Sequence, residues 1–250
     1  MKFSIQNSYP IYFVKTEDLL RVSLEDLGAV CASKEDADIV FHIRHAGQSI
    51  DKNKYNILIQ TEDFKVKNAP SIPYYEFFDE TWGYGIEHEK EKYIYLGYHP
   101  SFDFTNETYT KNGKIGFLAS PQGRRKALWE NCKNKFEFVA EWDYRESFRK
   151  LRQYDINLII HFYKPTLFTP WDRMVGLLSN KAFFILEDCY LPAILEDWIP
   201  RFLYDSYDEC IEYYVRNPKM CSEIAEQTYN IWKKEFDMRD QLKILLKGLL

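Results

Sequence analysis

The segment KIGFLASPQGRRKALWE, residues 114–130, decides the fold of this 250-residue chain. Its first part predicts a strand from Lys114 to Ala119, and its second part predicts a helix from Pro121 to about Cys132, with Ser120 as the N-cap. A strand that leads into a helix N-terminus forms an anion site, because free backbone N–H groups and the helix dipole face the ligand. Three cations occupy this turn and the start of the helix: Arg124, Arg125 and Lys126.

The alternation of strands and helices continues downstream of this segment. The apolar run INLIIHF (156–162) predicts a buried strand, and a second apolar run predicts another at 182–186. The other elements that we expect are a strand at 136–140 and helices at 143–153, at 169–178, from 206 onward and at 218–236.

The N-terminal half shows the same alternation. We expect strands at 2–6, 29–32, 37–43, 55–60 and 93–96, and helices at 16–27 and 74–82. Thr16 is the expected N-cap of the first helix, and Gly28 ends it. Strands separated by helical segments are typical of a parallel sheet.

The polar segment DFTNETYTKNG (103–113) predicts a linker between the two halves. The predicted fold class is therefore α/β, with two Rossmann-like lobes that have parallel sheets and a cleft between them. We expect the first lobe at 1–105 and the second at 114–238. The amphipathic segment 239–250 is expected to be a helix that packs back on the body.

Composition narrows the functional classes. The net charge of −5 argues against nucleic acid as the main partner, because phosphate neutralisation supplies most of such binding. Five scattered cysteines without a CxxC pair indicate reduced thiols and no zinc site. The first residues form no long apolar run, and no segment approaches the ~20 apolar residues of a membrane span, so we expect a cytoplasmic protein.

Five candidate binding residues lie in the second half, and the first is Ser120 at the predicted anion-binding turn. Arg124 or Arg125 is expected to contact a diphosphate, although both fit an exposed basic helix face as well. Arg173 lies in the first turn of a predicted helix, where a cation faces the positive end of the dipole and an incoming anion would offset it. Glu187 follows a buried strand and is a candidate for holding ribose or sugar hydroxyls; the alternative is a solvated strand end.

Three residues are candidates for catalysis. His161 ends a strand, where open α/β sheets place ligand contacts. Its alternative is a role in the core. Glu62 and His45 follow strands of the first half, and either is a candidate general base for an acceptor hydroxyl. The Asp36-Ala37-Asp38 pair precedes a strand, which indicates a solvated turn, and we predict no metal site.

The second half resembles the C-terminal lobe of GT-B glycosyltransferases, in particular the group-1-like or CgeB-type domain. The resemblance is carried by the segments at 114–130, 156–162, 172–188 and 204–232, and less specifically by NILIQTEDF at 56–64. It implies that Arg173 faces a nucleotide sugar and that Glu187 occupies the acidic position of the family. The chain has Ser179-Asn180-Lys181 where many relatives have a glycine-rich turn.

The resemblance implies a metal-independent glycosyltransferase, a hexosyl- or pentosyltransferase, without a cofactor other than its nucleotide-diphosphate sugar donor. Its partners would be that donor and a glycan or other hydroxyl acceptor. Two alternatives stay open: a sugar-nucleotide epimerase-like enzyme, and a non-catalytic binding module on the same fold. The sequence carries no signal for the donor base, the stereochemical outcome or the oligomeric state.

Overall fold

The computed structural model describes residues 1–44, 50–61, 76–84, 91–118, 122–132, 136–138, 144–161 and 169–249. The chain forms two compact units. The first comprises Met1–His99 together with Phe236–Leu250, and the second comprises Pro100–Glu235. The acceptor and donor roles of the predicted lobes stay predictions.

The first unit contains a six-stranded sheet in which every strand pair is parallel. Its strands are β1 (Lys2–Asn7), β2 (Val30–Cys31), β3 (Ile39–Ile43), β4 (Tyr55–Gln60), β5 (Glu80–Gly83) and β6 (Glu91–Tyr93). Their spatial order is β2-β1-β3-β4-β5-β6. All residues of β3 and β4 except Tyr55 are buried, as expected for the centre of a parallel sheet that is covered on both faces. The buried polar side chains of His42 and Asn56 are paired with each other at 3.0 Å.

The first helix begins earlier than its sequence pattern predicts. Helix α1 spans Pro10–Asp26 with proline in its first turn and a kink at Phe13, so Thr16 lies inside the helix and is not its cap. The Thr16 hydroxyl instead lies 3.1 Å from the hydroxyl of Tyr84, and both groups are buried. Pro10 is suited to the helix start because its missing N–H has no partner to lose there.

The predicted helix at 74–82 is wrong at its C-terminal end, where Glu80–Gly83 form strand β5. Trp82 is fully buried and its ring lies 5.6 Å from that of Phe41, so tertiary packing of the aromatic side chain outweighs the local pattern. The predicted edge strand at 93–96 lies slightly earlier, at Glu91–Tyr93.

The C-terminal helix α8 (Met238–Leu245) belongs to the first unit. The Asp237 carboxylate caps it by accepting from the Arg239 backbone N–H at 2.8 Å. The guanidinium of Arg239 also pairs with Asp26 at the end of α1, and Asp26 accepts from His99 Nε2 at 3.1 Å. These contacts attach the tail to the end of α1.

The second unit contains a five-stranded parallel sheet. Its strands are β7 (Ile115–Phe117), β8 (Phe136–Phe138), β9 (Ile156–Ile159), β10 (Phe184–Glu187) and β11 (Arg201–Phe202). Its helices are α2 (Arg124–Cys132), α3 (Tyr144–Leu151), α4 (Trp171–Ser179), α5 (Ala193–Glu196), α6 (Tyr207–Val215) and α7 (Pro218–Glu235). No helix in the described part of the chain is long and apolar enough to cross a membrane.

The strand order of the second sheet creates a crevice at one defined place. The order is β11-β10-β9-β7-β8, so the chain leaves β7 toward β8 on one side and returns to β9 on the other. In open parallel sheets, ligands bind at the carboxyl ends of the strands beside such a switch point. The first sheet has the corresponding switch between β1 and β3.

The turn between α4 and β10 holds a lysine in a conformation that favours glycine. The Ala182 N–H donates to the Leu177 carbonyl at 3.0 Å, which is the bond that closes a Schellman motif at the end of α4. Lys181 occupies the left-handed position of that motif with φ of 50°. A side chain at this backbone conformation carries a steric cost that glycine avoids.

The substitution Lys181→Gly is expected to stabilise the protein by about 0.5–1 kcal/mol, because relief of the left-handed backbone exceeds the loss of a partly exposed ion pair. That ion pair joins Lys181 to Glu226 at 2.9 Å. Urea unfolding measures the difference, and Glu226→Gln, which removes the ion pair alone, is the matched control. A destabilised Lys181→Gly protein would contradict the strain assigned to this turn.

Candidate functional site

The predicted donor-site residues of the second unit meet at the carboxyl edge of its sheet. Arg124 and Arg125 are the first two residues of α2, His161 follows β9 by two positions, and Glu187 is the last residue of β10. Because β7, β9 and β10 are consecutive parallel neighbours, their carboxyl ends lie side by side. The site therefore lies at the switch point between β7 and β9.

A buried ion pair organises this edge. The Arg124 Nη1 donates to Glu187 Oε2 at 2.7 Å, and Nη2 lies 2.6 Å from Oε1, so the guanidinium meets both carboxylate oxygens. The backbone N–H of His161 donates to the same Oε2 at 2.8 Å. The Glu187 side chain is only 7% exposed, so it is not a solvated strand end.

Tyr204 completes the cage around Arg124. The Arg124 Cζ lies 3.9 Å from the centre of the Tyr204 ring, and the Tyr204 hydroxyl donates to the Arg124 carbonyl oxygen at 2.6 Å. A guanidinium held on an aromatic face and in a bidentate ion pair has little freedom to move. No local pattern in the sequence links Tyr204 to Arg124, because 80 residues separate them.

His161 is neutral at this site. Burial and the positive charge of Arg173 lower the pKa of His161 to about 3. Its Nε2 lies 3.1 Å from the Glu187 carbonyl oxygen, which only accepts, so Nε2 carries the proton and Nδ1 keeps a lone pair. His161 is thus available as a hydrogen-bond acceptor and is not a cation at neutral pH.

Two further arginines raise the positive charge of the site. The pKa of Arg125, a buried residue, is lowered to about 9 by burial and by the neighbouring charges of Arg173 and Arg124. Burial also lowers the pKa of Arg173, whose Nη1 donates to the Ile160 carbonyl at 2.7 Å. Three guanidinium groups thus surround one buried carboxylate, an arrangement that an anionic ligand would stabilise.

The remaining predicted site residues, Ser120, Glu62 and His45, lie outside the described residues. The Asp36-Ala37-Asp38 turn is exposed at both carboxylates, with Asp36 bonded to the Ser33 hydroxyl and Asp38 to the Lys2 N–H. Among the described residues, no group of three or more His, Cys, Asp or Glu side chains has the proximity that a metal ion needs.

Neither a protein-family model nor a curated protein sequence matches the chain. Solved structures do. AviGT4, a glycosyltransferase involved in avilamycin A biosynthesis, superposes with a TM-score of 0.57 at 11% identity, over 99% of this chain and 98% of its own. T4 phage BGT in complex with UDP and Mn²⁺ gives 0.54 at 10% identity, over 99% and 100%. The fold is the GT-B fold.

A third structure shows the same GT-B architecture in a longer protein. TarM superposes with a TM-score of 0.54 at 10% identity over 83% of this chain, which spans about half of TarM (54%). At these identities the likeness establishes the fold. The CgeB-type resemblance within it stays a prediction.

The substitution Glu187→Gln is expected to lower the free energy of unfolding by about 3 kcal/mol, because it leaves the enclosed Arg124 charge without its carboxylate. Asp188→Asn is the matched control. The Asp188 carboxylate is half exposed and pairs with Arg201 at 3.2 Å, so its loss is expected to cost less than about 1 kcal/mol. Equal effects of the two substitutions in urea unfolding would contradict the central position of Glu187.

The depressed pKa of His161 predicts a pH dependence of stability. An unfolded histidine binds a proton below its ordinary pKa of 6.5, whereas the folded His161 binds one only near 3. Its contribution is therefore complete above pH 6.5 and is lost as the pH falls toward 3, by up to about 1.4 kcal/mol per pH unit. His161→Gln is expected to flatten the slope of unfolding free energy against pH in this window.

His99 is also buried and has a lowered pKa. It is present in the unsubstituted protein and in the His161→Gln variant, so its contribution cancels when their slopes are compared. If the unfolding free energies of the two proteins showed the same slope against pH between 6.5 and 4, His161 would not be held neutral by its surroundings.

Proposed function

We propose that the protein is a glycosyltransferase that moves a sugar from a nucleotide-diphosphate donor to an acceptor hydroxyl. The observation that carries the proposal is the excess of positive charge at the switch point of the second unit, where three arginines surround one carboxylate. The GT-B fold supports it, since the neighbours named above as glycosyltransferases share this fold.

Arg173 and Arg125 are the proposed diphosphate contacts. The charges of both lower the pKa of the neighbouring His161, which places them around one point. Departure of a nucleoside diphosphate develops negative charge, and fixed cations in a site of low polarity stabilise that charge. The N-terminus of α2 adds backbone N–H donors. Helix α2 begins at Arg124 and not at Pro121, so the predicted cap position of Ser120 is wrong and Gly123 is the residue that precedes the helix.

Arg124 and Glu187 act together in this proposal. Their bidentate pair is enclosed by Tyr204 and holds the His161 backbone, so it orients the ends of β9 and β10 toward the donor. The neutral His161 orients a hydroxyl of donor or acceptor through the Nδ1 lone pair. The Glu187 carboxylate retains lone pairs for a ribose or sugar hydroxyl beside the arginine.

The acceptor is assigned to the first unit. Glu62 or His45 is the proposed general base that deprotonates the acceptor hydroxyl as the glycosidic bond forms. Their chain neighbours Gln60 and Arg44 lie at the carboxyl ends of β4 and β3, two adjacent parallel strands. The negative net charge leads us to expect a glycan or other hydroxyl compound as the acceptor, and no transfer to nucleic acid.

We propose that the reaction needs no metal ion, since the arginines supply positive charge at the leaving group. The T4 phage BGT structure contains Mn²⁺ with UDP, so the point needs a direct test. Transfer is expected to continue after treatment with EDTA. Loss of activity in EDTA and its recovery with Mn²⁺ would refute metal independence and leave the donor site in place.

Thermal melting with UDP-, GDP-, ADP- and dTDP-sugars tests the donor site first. A nucleotide at about 100 times its Kd stabilises by ~2.7 kcal/mol, which corresponds to a shift of several degrees. Arg173→Met is expected to remove that shift and to lower kcat by about 10²–10³-fold, because one charge-stabilising group is lost. Arg216→Met is the matched control, since Arg216 is exposed and forms a surface ion pair with Glu212.

Product analysis with the same nucleotide sugars separates the transferase from the two alternatives. Epimerised donor in the absence of acceptor would indicate an epimerase-like enzyme. Donor binding without transfer or hydrolysis, over a broad acceptor panel, would indicate a binding module. A flat melting panel in the presence and absence of acceptors would contradict the proposal.

A further inference from the structure

The second unit has a pocket at the edge of its sheet opposite the proposed donor site. Its volume is about 430 Å³, within the range of small-molecule sites. Asp155 and Ile156, at the start of β9, and Phe183, just before β10, form its floor. Five residues of extended chain, ~16 Å, separate Ile156 from His161, so the pocket is not part of the donor site.

Two cations of this pocket have no carboxylate partner among the described residues. The Arg152 Nη1 donates to carbonyl oxygens, at 3.0 Å from Thr105 and 3.2 Å from Glu107. Its guanidinium lies over the Tyr109 ring at 4.0 Å. Its Nε is buried and has no partner in the part of the chain that the structure describes. The Lys111 amine donates to the Tyr154 carbonyl oxygen at 2.6 Å.

Lys181 is the third cation, and it is the residue in the left-handed turn described above. Its amine pairs with Glu226, which also lines the pocket. With Asp155, the pocket thus has three cations and two carboxylates. A lysine at a position that favours glycine indicates that the side chain has a use that offsets its cost in stability.

A helix start adds to the positive field. Pro218, Cys221 and Ser222, in the first turn and a half of the 18-residue helix α7, line the pocket. The positive end of the α7 dipole therefore faces the same space as the three cations. Compact oxyanions with several acceptor oxygens, such as phosphate, match donors that converge from several directions.

The rest of the wall is apolar and aromatic. Phe183 and Tyr214 contact each other with ring centres 5.0 Å apart, and Ile156, Val215 and Ala225 complete this side. A ligand that filled the pocket would place a flat or apolar group here and its anionic group beside the cations.

We propose that this pocket binds a small phosphate monoester that carries an aromatic or other flat apolar group. The site is separate from the donor site, and its ligand does not depend on the transferase proposal. Its cationic residues are Lys111, Arg152 and Lys181.

Phenyl phosphate, inorganic phosphate, benzoate and phenol are the probes that test the pocket, with Kd measured by titration calorimetry and saturation-transfer NMR. Phenyl phosphate is expected to bind most tightly, because it alone has both the dianion and the ring. Lys111→Met and Lys181→Gly are each expected to raise its Kd at least tenfold, the loss of one charge-assisted contact. Lys219→Met is the matched control, since Lys219 is on the same turn of α7 but outside the pocket lining.

Lys181→Gly distinguishes binding from folding. It is expected to raise the melting temperature of the unliganded protein while weakening phenyl phosphate, a combination that general damage to the fold does not produce. Arg173→Met is expected to leave the Kd of phenyl phosphate unchanged.

Three outcomes would overturn the proposal: no phenyl phosphate binding at millimolar concentration, binding that Arg173→Met abolishes, or benzoate binding as tightly as phenyl phosphate. The first would leave an empty surface depression, the second would assign the probe to the donor site, and the third would remove the preference for phosphate. None of them bears on the transferase proposal, which the nucleotide-sugar panel tests independently.

Discussion

The buried carboxylate of Glu187 is the contact on which the site of the second unit depends. It joins the start of α2 to the ends of β9 and β10, through both nitrogens of Arg124 and the backbone N–H of His161. A carboxylate in such surroundings is stable only while its partners remain, and Arg124 is equally dependent on it. The pair therefore fixes three chain segments at the switch point, where we propose that the donor binds.

The carboxyl edge of the second sheet has an excess of positive charge that the ion pair of the fold does not neutralise. Arg125 and Arg173 are held near Arg124 with lowered pKa values, and His161 is kept neutral by burial and by the same charges. Repulsion among the guanidinium groups lowers the free energy of unfolding of the unliganded protein. A bound diphosphate would be attracted to the same groups and would raise that free energy. This balance is typical of a site built for an anion, in which stability and ligand affinity oppose each other.

Each edge of the second sheet combines a helix N-terminus with three cations. At the carboxyl edge, the N-terminus of α2 and three arginines surround one carboxylate. At the amino edge, the N-terminus of α7 and three cations surround a pocket of about 430 Å³. The parallel arrangement separates them, because the carboxyl ends of all strands lie at one edge and their amino ends at the other. The two proposed anion sites of this lobe therefore share no side chains.

Sequence pattern predicted the α/β class, the two parallel sheets and the long helix at 218–236. It also predicted that Arg124, Arg125, His161, Arg173 and Glu187 lie in one lobe. These follow from local periodicity and from the rule that residues after parallel strands share an edge. Strand β5 and the early start of α1 did not follow, because the packing of Trp82 and Thr16 against distant residues decides them. Contacts between residues far apart in the chain could not be predicted either. They include the ion pair of Arg124 with Glu187, the stacking of Tyr204 on Arg124 and the pocket around Lys111. Such contacts depend on distances in three dimensions and on burial. A linear sequence does not contain the distances between residues that are far apart in the chain.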